Sequence, residues 1–154
     1  MIIWIASYPK SGNTWLRSLL TSYYFSEDGK FDFGLLKNIK QFPSKDFFSK
    51  RVESIDEAAK NWLIIQKKIK DLKKARFLKT HNVFGSYKGN NFTSQEFTLG
   101  AIIVVRDPRN LINSISNHYN KNNDEEAKNF LISQKILSQQ ARDLKDNDIA
   151  TLLG

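Results

Sequence analysis

The sequence predicts an α/β fold in which helices flank a parallel β-sheet. Three short runs lack the polar alternation of a half-exposed strand, and amphipathic helical patterns separate them. The runs are Ile2 to Ala6, Arg76 to His81 and Ala101 to Val105. Strands that alternate with helices pair in parallel, and helices cover both faces of such sheets. We expect the 154 residues to form one domain, 1–154.

Composition and charge narrow the functional classes. There is no Cys, so no disulfide, thiolate metal ligand or thiol nucleophile exists; two His residues without a paired acidic motif predict no metal. The net charge of +8 favours polyanionic ligands or, equally, a solvated Lys surface. No known nucleic-acid module is visible, so we expect no nucleic-acid partner. Pro9 cuts the first apolar run, and no apolar stretch reaches the roughly 18 residues of a membrane span. We therefore expect a cytoplasmic protein without a membrane partner.

The first strand leads into a loop and a helix that are typical of an anion site. Lys10 to Thr14 contain a cation, a Gly and two hydroxyls, and the helix is predicted from Thr14 to about Tyr24. Free N–H groups and the dipole of a helix start favour an anion, and Gly12 permits a close approach of the backbone. The Walker A pattern is absent. The alternative is an ordinary turn with Lys10 in water.

The middle of the chain is predicted to contain a loop-rich segment and a long helix. Residues 30–50 form a loop with short helical pieces, broken at Pro43. Most of its aromatic residues are expected to pack in the core, the alternative being a wall of a ligand pocket: Phe31, Phe33, Phe42, Phe47 and Phe48. Ser54 and Glu57 form a capping box for an amphipathic helix that ends at about Lys74.

The last third is predicted to hold two more helices. Residues Gly85 to Asn91 read as a loop, and Asp107 and Pro108 open a helix as N-cap and first residue. The inner face of that helix is Leu111, Ile112, Ile115 and either His118 or Tyr119. A polar turn from Asn120 to Asp124 precedes a long helix, Glu125 to Leu144, with these residues inward: Ala127, Phe130, Leu131, Leu137, Ala141 and Leu144.

Three polar side chains follow the three predicted strands. Lys10, His81 and Arg106 each come just after a strand, and ligands of parallel sheets bind at the carboxyl ends of strands. We therefore expect them at one edge of the sheet. An imidazole can act as a general base near pH 7, although position alone favours a structural role for His81. Arg106 suits a phosphate, or alternatively a salt bridge to Asp107.

Three segments of the sequence resemble, in the right order, motifs of the sulfotransferases that use 3′-phosphoadenosine 5′-phosphosulfate (PAPS). They are Pro-Lys-Ser-Gly-Asn-Thr-Trp-Leu-Arg from Pro9, Lys-Thr-His from Lys79, and Val-Val-Arg-Asp-Pro-Arg-Asn-Leu-Ile-Asn-Ser from Val104. Val83 departs from the family, which usually has Pro there. The resemblance implies a P-loop-NTPase-like three-layer sandwich with only part of the usual sulfotransferase sheet.

The resemblance also implies roles for individual residues. His81 would be the general base, and Lys10 would bind the sulfuryl oxygens and offset charge on the leaving phosphate. Arg106 and Ser114 would grip the 3′-phosphate. The 5′-phosphate would be held by Ser11, Gly12, Asn13 and Thr14. Trp15 would stack on adenine, the alternative being a core aromatic.

The predicted function is transfer of a sulfuryl group from PAPS to a hydroxyl or amine of a small-molecule or carbohydrate acceptor. Adenosine 3′,5′-bisphosphate would be released, and no metal is required because fixed cations stabilise the charge. The alternatives are an ATP-dependent small-molecule kinase and a non-catalytic nucleotide-binding fragment. Family domains are considerably longer and carry an Arg-Lys-Gly loop that this sequence lacks. We therefore expect the chain to lack the family's carboxy-terminal part, and its own activity stays open.

Overall fold

The secondary structure follows a strand–helix order along the chain. The computed structural model describes residues 1–48, 52, 54–72, 74–118 and 124–132. The strands are β1 (Ile2–Ser7), β2 (Arg76–Thr80), β3 (Ser86–Tyr87), β4 (Asn90–Asn91) and β5 (Thr98–Val104). The α-helices are α1 (Asn13–Phe25), α2 (Ile55–Asp71), α3 (Ile112–His118) and α4 (Asp124–Ile132). Short 3₁₀ helices occur at Phe33–Asn38, Lys45–Phe47 and Pro108–Leu111.

The sheet is parallel, as predicted, and has three strands in the order β2-β1-β5. In the centre of its register, Ile5 of β1 lies opposite Lys79 of β2 and Ile102 of β5. The carboxyl ends of the three strands therefore meet at one edge. The polar residues that follow them are brought to that same edge.

Helices lie on both faces of the sheet, which makes the fold three-layered. Trp4 and Leu78 are buried in the same cluster as Trp62 of α2. Tyr24 of α1 contacts Phe77, with ring centroids 5.5 Å apart. Because adjacent residues of a strand point to opposite faces, α1 and α2 cover opposite sides of β2. The predicted α/β fold class is confirmed.

The main core lies between α2 and the sheet and is largely aromatic. The rings of Trp4, Phe42, Trp62 and Phe92 meet at centroid distances of 5.2–5.9 Å. The α2 helix begins as predicted, with the Ser54 hydroxyl accepting from the backbone N–H of Glu57 at 3.2 Å. Such a cap is worth about 1 kcal/mol. The core therefore fixes the amino-terminal half of the sheet and leaves the strand ends to form the site.

Two details of the prediction are wrong. The described part of the chain does not cover both faces of the sheet throughout, because Ile103 of β5 is 71% exposed and Val105 just beyond it is 85% exposed. The segment from 85 to 91 is not all loop, since β3 and β4 pair as a short antiparallel hairpin. The prediction that most of the five Phe residues pack in the core is confirmed, because Phe42, Phe47 and Phe48 lie in or against it, whereas Phe33 is 77% exposed and Phe31 is also exposed.

The carboxy-terminal prediction is tested only in part. Asp107 caps the 3₁₀ helix at Pro108, accepting from the Arg109 N–H at 2.9 Å, and Leu111, Ile115 and Ala127 are buried as expected. The predicted turn residues 120–123, Tyr119 and helix residues 133–144 lie outside the described residues. None of the helices in the described parts of the chain is long and apolar enough to cross a membrane.

Candidate active site

The loop after β1 has an unusual backbone that the sequence explains. Gly12 has a φ of +104°, and Lys10 has a φ of +66° although it is not a glycine. Positive φ costs an L-residue roughly 1–2 kcal/mol, so Gly12 is needed for this turn while Lys10 is held in strain by its surroundings. The hydrogen bond from the Ser11 N–H to the Tyr8 oxygen, 3.2 Å long, closes the turn.

The first turn of α1 is open to an anion. Gly12 is the N-cap, so no side chain caps this helix, and its first turn, which the structure describes in full, contains no acidic residue. The free N–H groups and the positive end of the dipole are therefore left for an external negative charge. Lys10 lies in the same loop. This arrangement fits the predicted phosphate-binding role of the loop.

Asn13 anchors the start of α1 to β1. Its side chain is buried, and Nδ2 donates to the Ile5 oxygen at 3.2 Å and to the Ser7 Oγ at 3.1 Å. This side-chain nitrogen is therefore engaged inside the fold, and an anion would meet Asn13 through its backbone N–H. The bond to Ser7 also connects the loop to the residue that holds His81.

A cavity of about 450 Å³ brings together most of the predicted site residues. We call it the polar cavity. It is lined by Pro9, Lys10, Gly12, Asn13, Thr14, Gln41, Lys79, His81, Ser114 and His118. Residues from all three sequence motifs thus share one cavity, as expected from their positions at the carboxyl ends of parallel strands.

His81 is held by the end of β1. Its Nδ1 lies 2.7 Å from the backbone oxygen of Ser7 and 3.3 Å from the Ser7 Oγ. A carbonyl oxygen only accepts, so we assign the proton of the neutral ring to Nδ1 and the lone pair to Nε2. Burial lowers the pKa of His81 to about 4, with a further contribution from the positive charge of Lys79. The ring is therefore neutral at pH 7, as a general base must be.

Lys79 is a site residue that the sequence analysis missed. It lines the polar cavity, and its Nζ donates to the Oε1 of Gln41 at 2.7 Å. Burial, and secondarily the charge of Arg17, lower its pKa to about 8. The alternation of side chains along a strand could have identified Lys79, because residues two apart on a strand share a face and Lys79 precedes His81 by two.

Arg17 is a second cation that the sequence analysis did not assign to the site, and it forms hydrogen bonds with the segment beside the site. Its guanidinium donates to the backbone oxygens of Leu36 and Ile39 at 2.9 and 2.6 Å. Desolvation lowers its pKa, which nevertheless stays far above neutrality in any protein. Arg17 therefore fastens the 3₁₀ segment to α1 and adds positive potential beside Lys79 and His81.

Arg106 reaches the loop, but it does not share the polar cavity with Ser114. Its Nη1 donates to the Lys10 backbone oxygen at 3.3 Å. Asp107 pairs instead with Arg109, through bonds of 3.0 Å to Nε, so no salt bridge between Arg106 and Asp107 forms. Ser114 lines the polar cavity, whereas Arg106 lines a second one. The structure places both residues near the loop without joining them into one clamp.

The second cavity, of about 720 Å³, lies on the α2 face of the sheet, and we call it the apolar cavity. Its walls are mainly apolar and include Trp4, Ala6, Val83, Phe84, Phe92, Ala101, Ile103, Val104, Val105 and Leu111, with Ser11 of the loop and with His81 and Arg106 just beyond the strand ends. The predicted site residue Trp15 lines neither cavity. Its side chain is 68% exposed, so the alternative of a core aromatic is wrong.

The fold and site define an α/β protein that presents an uncapped helix start, several cations and a neutral His at the carboxyl edge of a parallel sheet. The chain belongs to the sulfotransferase family. The family model described as "Sulfotransferase domain" matches residues 2–145, which is nearly the whole chain. No curated protein and no solved structure matches it.

Proposed function

We propose that this chain transfers a sulfuryl group from PAPS to a hydroxyl or amine of a small-molecule or carbohydrate acceptor. One observation carries the proposal: Lys10, His81 and the uncapped start of α1 line the same cavity. An anion site and a base therefore adjoin, as group transfer from an anionic donor requires. Membership of the sulfotransferase family gives the type of group transferred.

The residues of the loop fit an anionic donor. When bound, PAPS supplies an activated sulfuryl group whose bond to a phosphate oxygen breaks. Gly12 leaves the backbone free of a side chain at the helix start, and its φ of +104° turns the loop. The N–H groups of Asn13 and Thr14 would hold the 5′-phosphate, and the Lys10 ammonium would neutralise charge on the leaving oxygen.

His81 would receive the acceptor's proton. Because Nδ1–H donates to the Ser7 oxygen, Nε2 carries the lone pair that takes a proton as the acceptor oxygen or nitrogen attacks sulfur. Lys79, two residues earlier on the same face, would add positive charge near the transferred group. Fixed cations of this kind stabilise the transition state without a metal.

The 3′-phosphate and the adenine are assigned to Arg106 and Trp15, which do not line the polar cavity, together with Ser114, which does. The exposed Arg106 would bind the 3′-phosphate, with Ser114 donating from α3. The exposed ring of Trp15 would stack on adenine. A donor that uses all these groups must extend from the polar cavity across the loop towards Arg106.

Calorimetric titration with adenosine 3′,5′-bisphosphate, beside ATP with Mg²⁺, tests the donor assignment. Binding of the bisphosphate in preference to Mg-ATP is expected. A preference for Mg-ATP would instead indicate a small-molecule kinase and overturn the proposal. The bisphosphate is the product common to every acceptor, so this experiment needs no knowledge of the acceptor.

Transfer of ³⁵S from labelled PAPS tests the reaction itself. His81→Ala is expected to abolish transfer and to leave the affinity for adenosine 3′,5′-bisphosphate nearly unchanged, because the ring acts on the acceptor. Retained transfer by this variant would remove His81 from the mechanism. Bisphosphate binding without any transfer by the unaltered chain would identify a non-catalytic nucleotide-binding protein.

A further inference from the structure

Ser7, the last residue of β1, contacts both the candidate base and the start of α1. Its backbone oxygen lies 2.7 Å from the Nδ1 of His81, and its Oγ lies 3.3 Å from the same nitrogen. The Oγ also lies 3.1 Å from the Nδ2 of Asn13. The side chains of Ser7 and Asn13 are both buried. The proposed function gives these two side chains no role, although one of them touches the ring of the base.

Two backbone oxygens determine the direction of the hydrogen bonds in this group. The Ile5 oxygen can only accept, and it lies 3.2 Å from Asn13 Nδ2, so the amide of Asn13 presents its nitrogen here and not its oxygen. The same nitrogen therefore donates its second proton to the Ser7 Oγ. The Ser7 oxygen also can only accept, so the Nδ1 of His81 is the donor. The Ser7 Oγ thus presents lone pairs to both of its neighbours.

The proton on Nδ1 of His81 therefore meets two acceptors that belong to one residue. The backbone oxygen of Ser7 is the closer partner, and the Oγ is a second and weaker one. Two acceptors restrict rotation of the ring more than one does, because a rotation lengthens at least one of the two contacts. The position of Nε2, which carries the lone pair, is fixed together with the ring.

The same two oxygens can stabilise the ring once it has gained a proton, because an imidazolium Nδ1–H is a stronger donor than a neutral one. Burial is the main cause that lowers the pKa of His81, and the charge of Lys79 lowers it further, whereas the hydrogen bond to the Ser7 oxygen opposes both. The other cations and titratable groups near the ring come from the loop, α1, β2 and α3: Lys10, Arg17, Lys79 and His118. Among the described residues that line the polar cavity, none is acidic. The neutral oxygens of Ser7 therefore take the place that a carboxylate has beside many histidine bases.

We propose that Ser7 and Asn13 are positioning residues for the base: the Asn13 amide orients the Ser7 Oγ, which together with the Ser7 backbone oxygen holds Nδ1–H of His81 and leaves Nε2 as the proton acceptor. This inference rests on the proposed function, in which His81 is the base. It gives Asn13 two roles, since its backbone N–H would meet the donor while its side chain acts on the base through Ser7.

Ser7→Thr and Ser7→Val form a matched pair that isolates the hydroxyl. Both replacements are β-branched, which suits a strand, and they differ in a hydroxyl against a methyl group. Ser7 also lines the apolar cavity, which leaves room for the added methyl group. Ser7→Ala removes the hydroxyl without adding volume, so it keeps the test valid if the larger side chains disturb the fold. Urea unfolding shows whether each variant is folded.

Histidine-selective ¹⁵N spectra of the unbound protein give the readout, which needs neither donor nor acceptor. At pH 7 the unaltered chain and Ser7→Thr are expected to carry the proton of the His81 ring on Nδ1. Ser7→Val and Ser7→Ala are expected to lower the pKa of His81 by about 0.5–1 relative to Ser7→Thr, because the charged ring loses one acceptor. A merely structural role of Ser7 predicts the opposite sign, since a loosened ring gains water and its pKa rises. A pKa in Ser7→Val and Ser7→Ala that equals or exceeds that of Ser7→Thr would overturn the inference.

The role of Asn13 is tested in the same spectra. Asn13→Ser shortens the side chain so that it cannot reach both the Ile5 oxygen and the Ser7 Oγ, and it is expected to lower the pKa of His81. The same change made in Ser7→Val is expected to lower it no further, because the Oγ through which Asn13 acts is already absent. Full addition of the two effects would contradict the orienting role of Asn13.

Calorimetry with adenosine 3′,5′-bisphosphate on the same samples separates this inference from the proposed function. Ser7 does not line the polar cavity, so Ser7→Thr and Ser7→Val are expected to bind the bisphosphate equally well. An unaltered chain that does not bind it counts against the proposed function, whatever the spectra show. The order of the His81 pKa values in the Ser7 variants decides the positioning role by itself.

Discussion

The Nδ1 atom of His81 lies 2.7 Å from the backbone oxygen of Ser7, so the ring of the candidate base joins the end of β2 to the end of β1. Ser7 also receives a hydrogen bond from the Asn13 side chain at 3.1 Å. One serine therefore connects the base to the anion-binding loop. Positions of the base and of the helix start are coupled through it.

The low pKa of His81 predicts that stability falls in acid. Folding lowers this pKa from 6.5 to about 4, so the unfolded chain binds the proton more tightly and protonation favours unfolding. The stabilising contribution is complete above the unfolded pKa and is lost as the pH falls through the folded pKa. The expected loss between pH 7 and pH 4 is about 3 kcal/mol in the free energy of unfolding.

Urea unfolding at several pH values measures this effect. His81→Gln is expected to show a correspondingly smaller loss of stability between pH 7 and pH 4. His118→Gln changes the other histidine, which is exposed, and is expected to keep the full loss. The same carboxylates titrate in both variants, so their difference isolates His81. Parallel pH dependences in the two variants would show that His81 titrates normally in the folded protein.

Arg106 and Arg109 provide a matched pair for testing the 3′-phosphate site. Arg106 donates to the Lys10 oxygen of the loop, whereas Arg109 is paired with Asp107. Arg106→Ala is expected to weaken adenosine 3′,5′-bisphosphate roughly 10- to 100-fold and to leave 5′-AMP nearly unaffected, because only the former has a 3′-phosphate. Arg109→Ala should change neither. Calorimetry that finds an equal loss for both nucleotides in Arg106→Ala would refute the assignment.

Replacement of Gly12 and of Gly29 by Ala separates the effect of backbone strain from the effect on anion binding. Both have positive φ, of +104° and +75°, and an added Cβ meets nothing closer than 3.9 Å at Gly12 and nothing within 4 Å at Gly29. Replacement by Ala should therefore destabilise each variant by roughly 1–2 kcal/mol through φ alone. Gly12→Ala should in addition weaken adenosine 3′,5′-bisphosphate by about tenfold, because the loop carries the N–H groups.

Urea unfolding and calorimetry on the two Gly variants give both quantities. Gly29 lies in the turn after α1 and lines neither cavity, so Gly29→Ala should retain full affinity. If both variants bind the bisphosphate equally well, the conformation at Gly12 is not what forms the anion site.

Local patterns predicted β1, β2, β5, α1 and α2, and also the gathering of Lys10, His81 and Arg106 at one edge. These features follow from hydrophobic period and from the geometry of parallel sheets. Gln66 shows what local patterns could not predict. Its buried amide donates to the Phe92 oxygen at 2.6 Å and accepts from the Thr93 hydroxyl at 2.5 Å. The role of a polar residue within an apolar stripe can be recognised only when its hydrogen-bond partners, which lie far away in the sequence, are known.

The exposure of strand β5 is a second feature that local patterns did not predict. Its apolar run predicted burial, yet Ile103 is exposed because the described helices cover the β2 and β1 side of that face. Sequence period gives the type of strand and its direction of pairing, but not which neighbour covers it. Arg17 was missed for a related reason, since a lone cation becomes part of a site only through the residues folded around it.

Lys79 should control the pKa of His81. Its charge is the second cause of the low value of about 4, after burial. Lys79→Met keeps the length of the side chain and removes the charge, so the pKa of His81 is expected to rise while staying below 6.5, because the ring remains buried. A ¹⁵N titration of the histidine ring measures this directly.

Lys40→Met provides the control, because Lys40 is adjacent to Gln41 in sequence but pairs with Asp46 on the surface. An unchanged pKa in Lys79→Met, or an equal rise in both variants, would show that Lys79 does not set the protonation of the base. A rise confined to Lys79→Met would show that this cation helps to keep His81 neutral at pH 7.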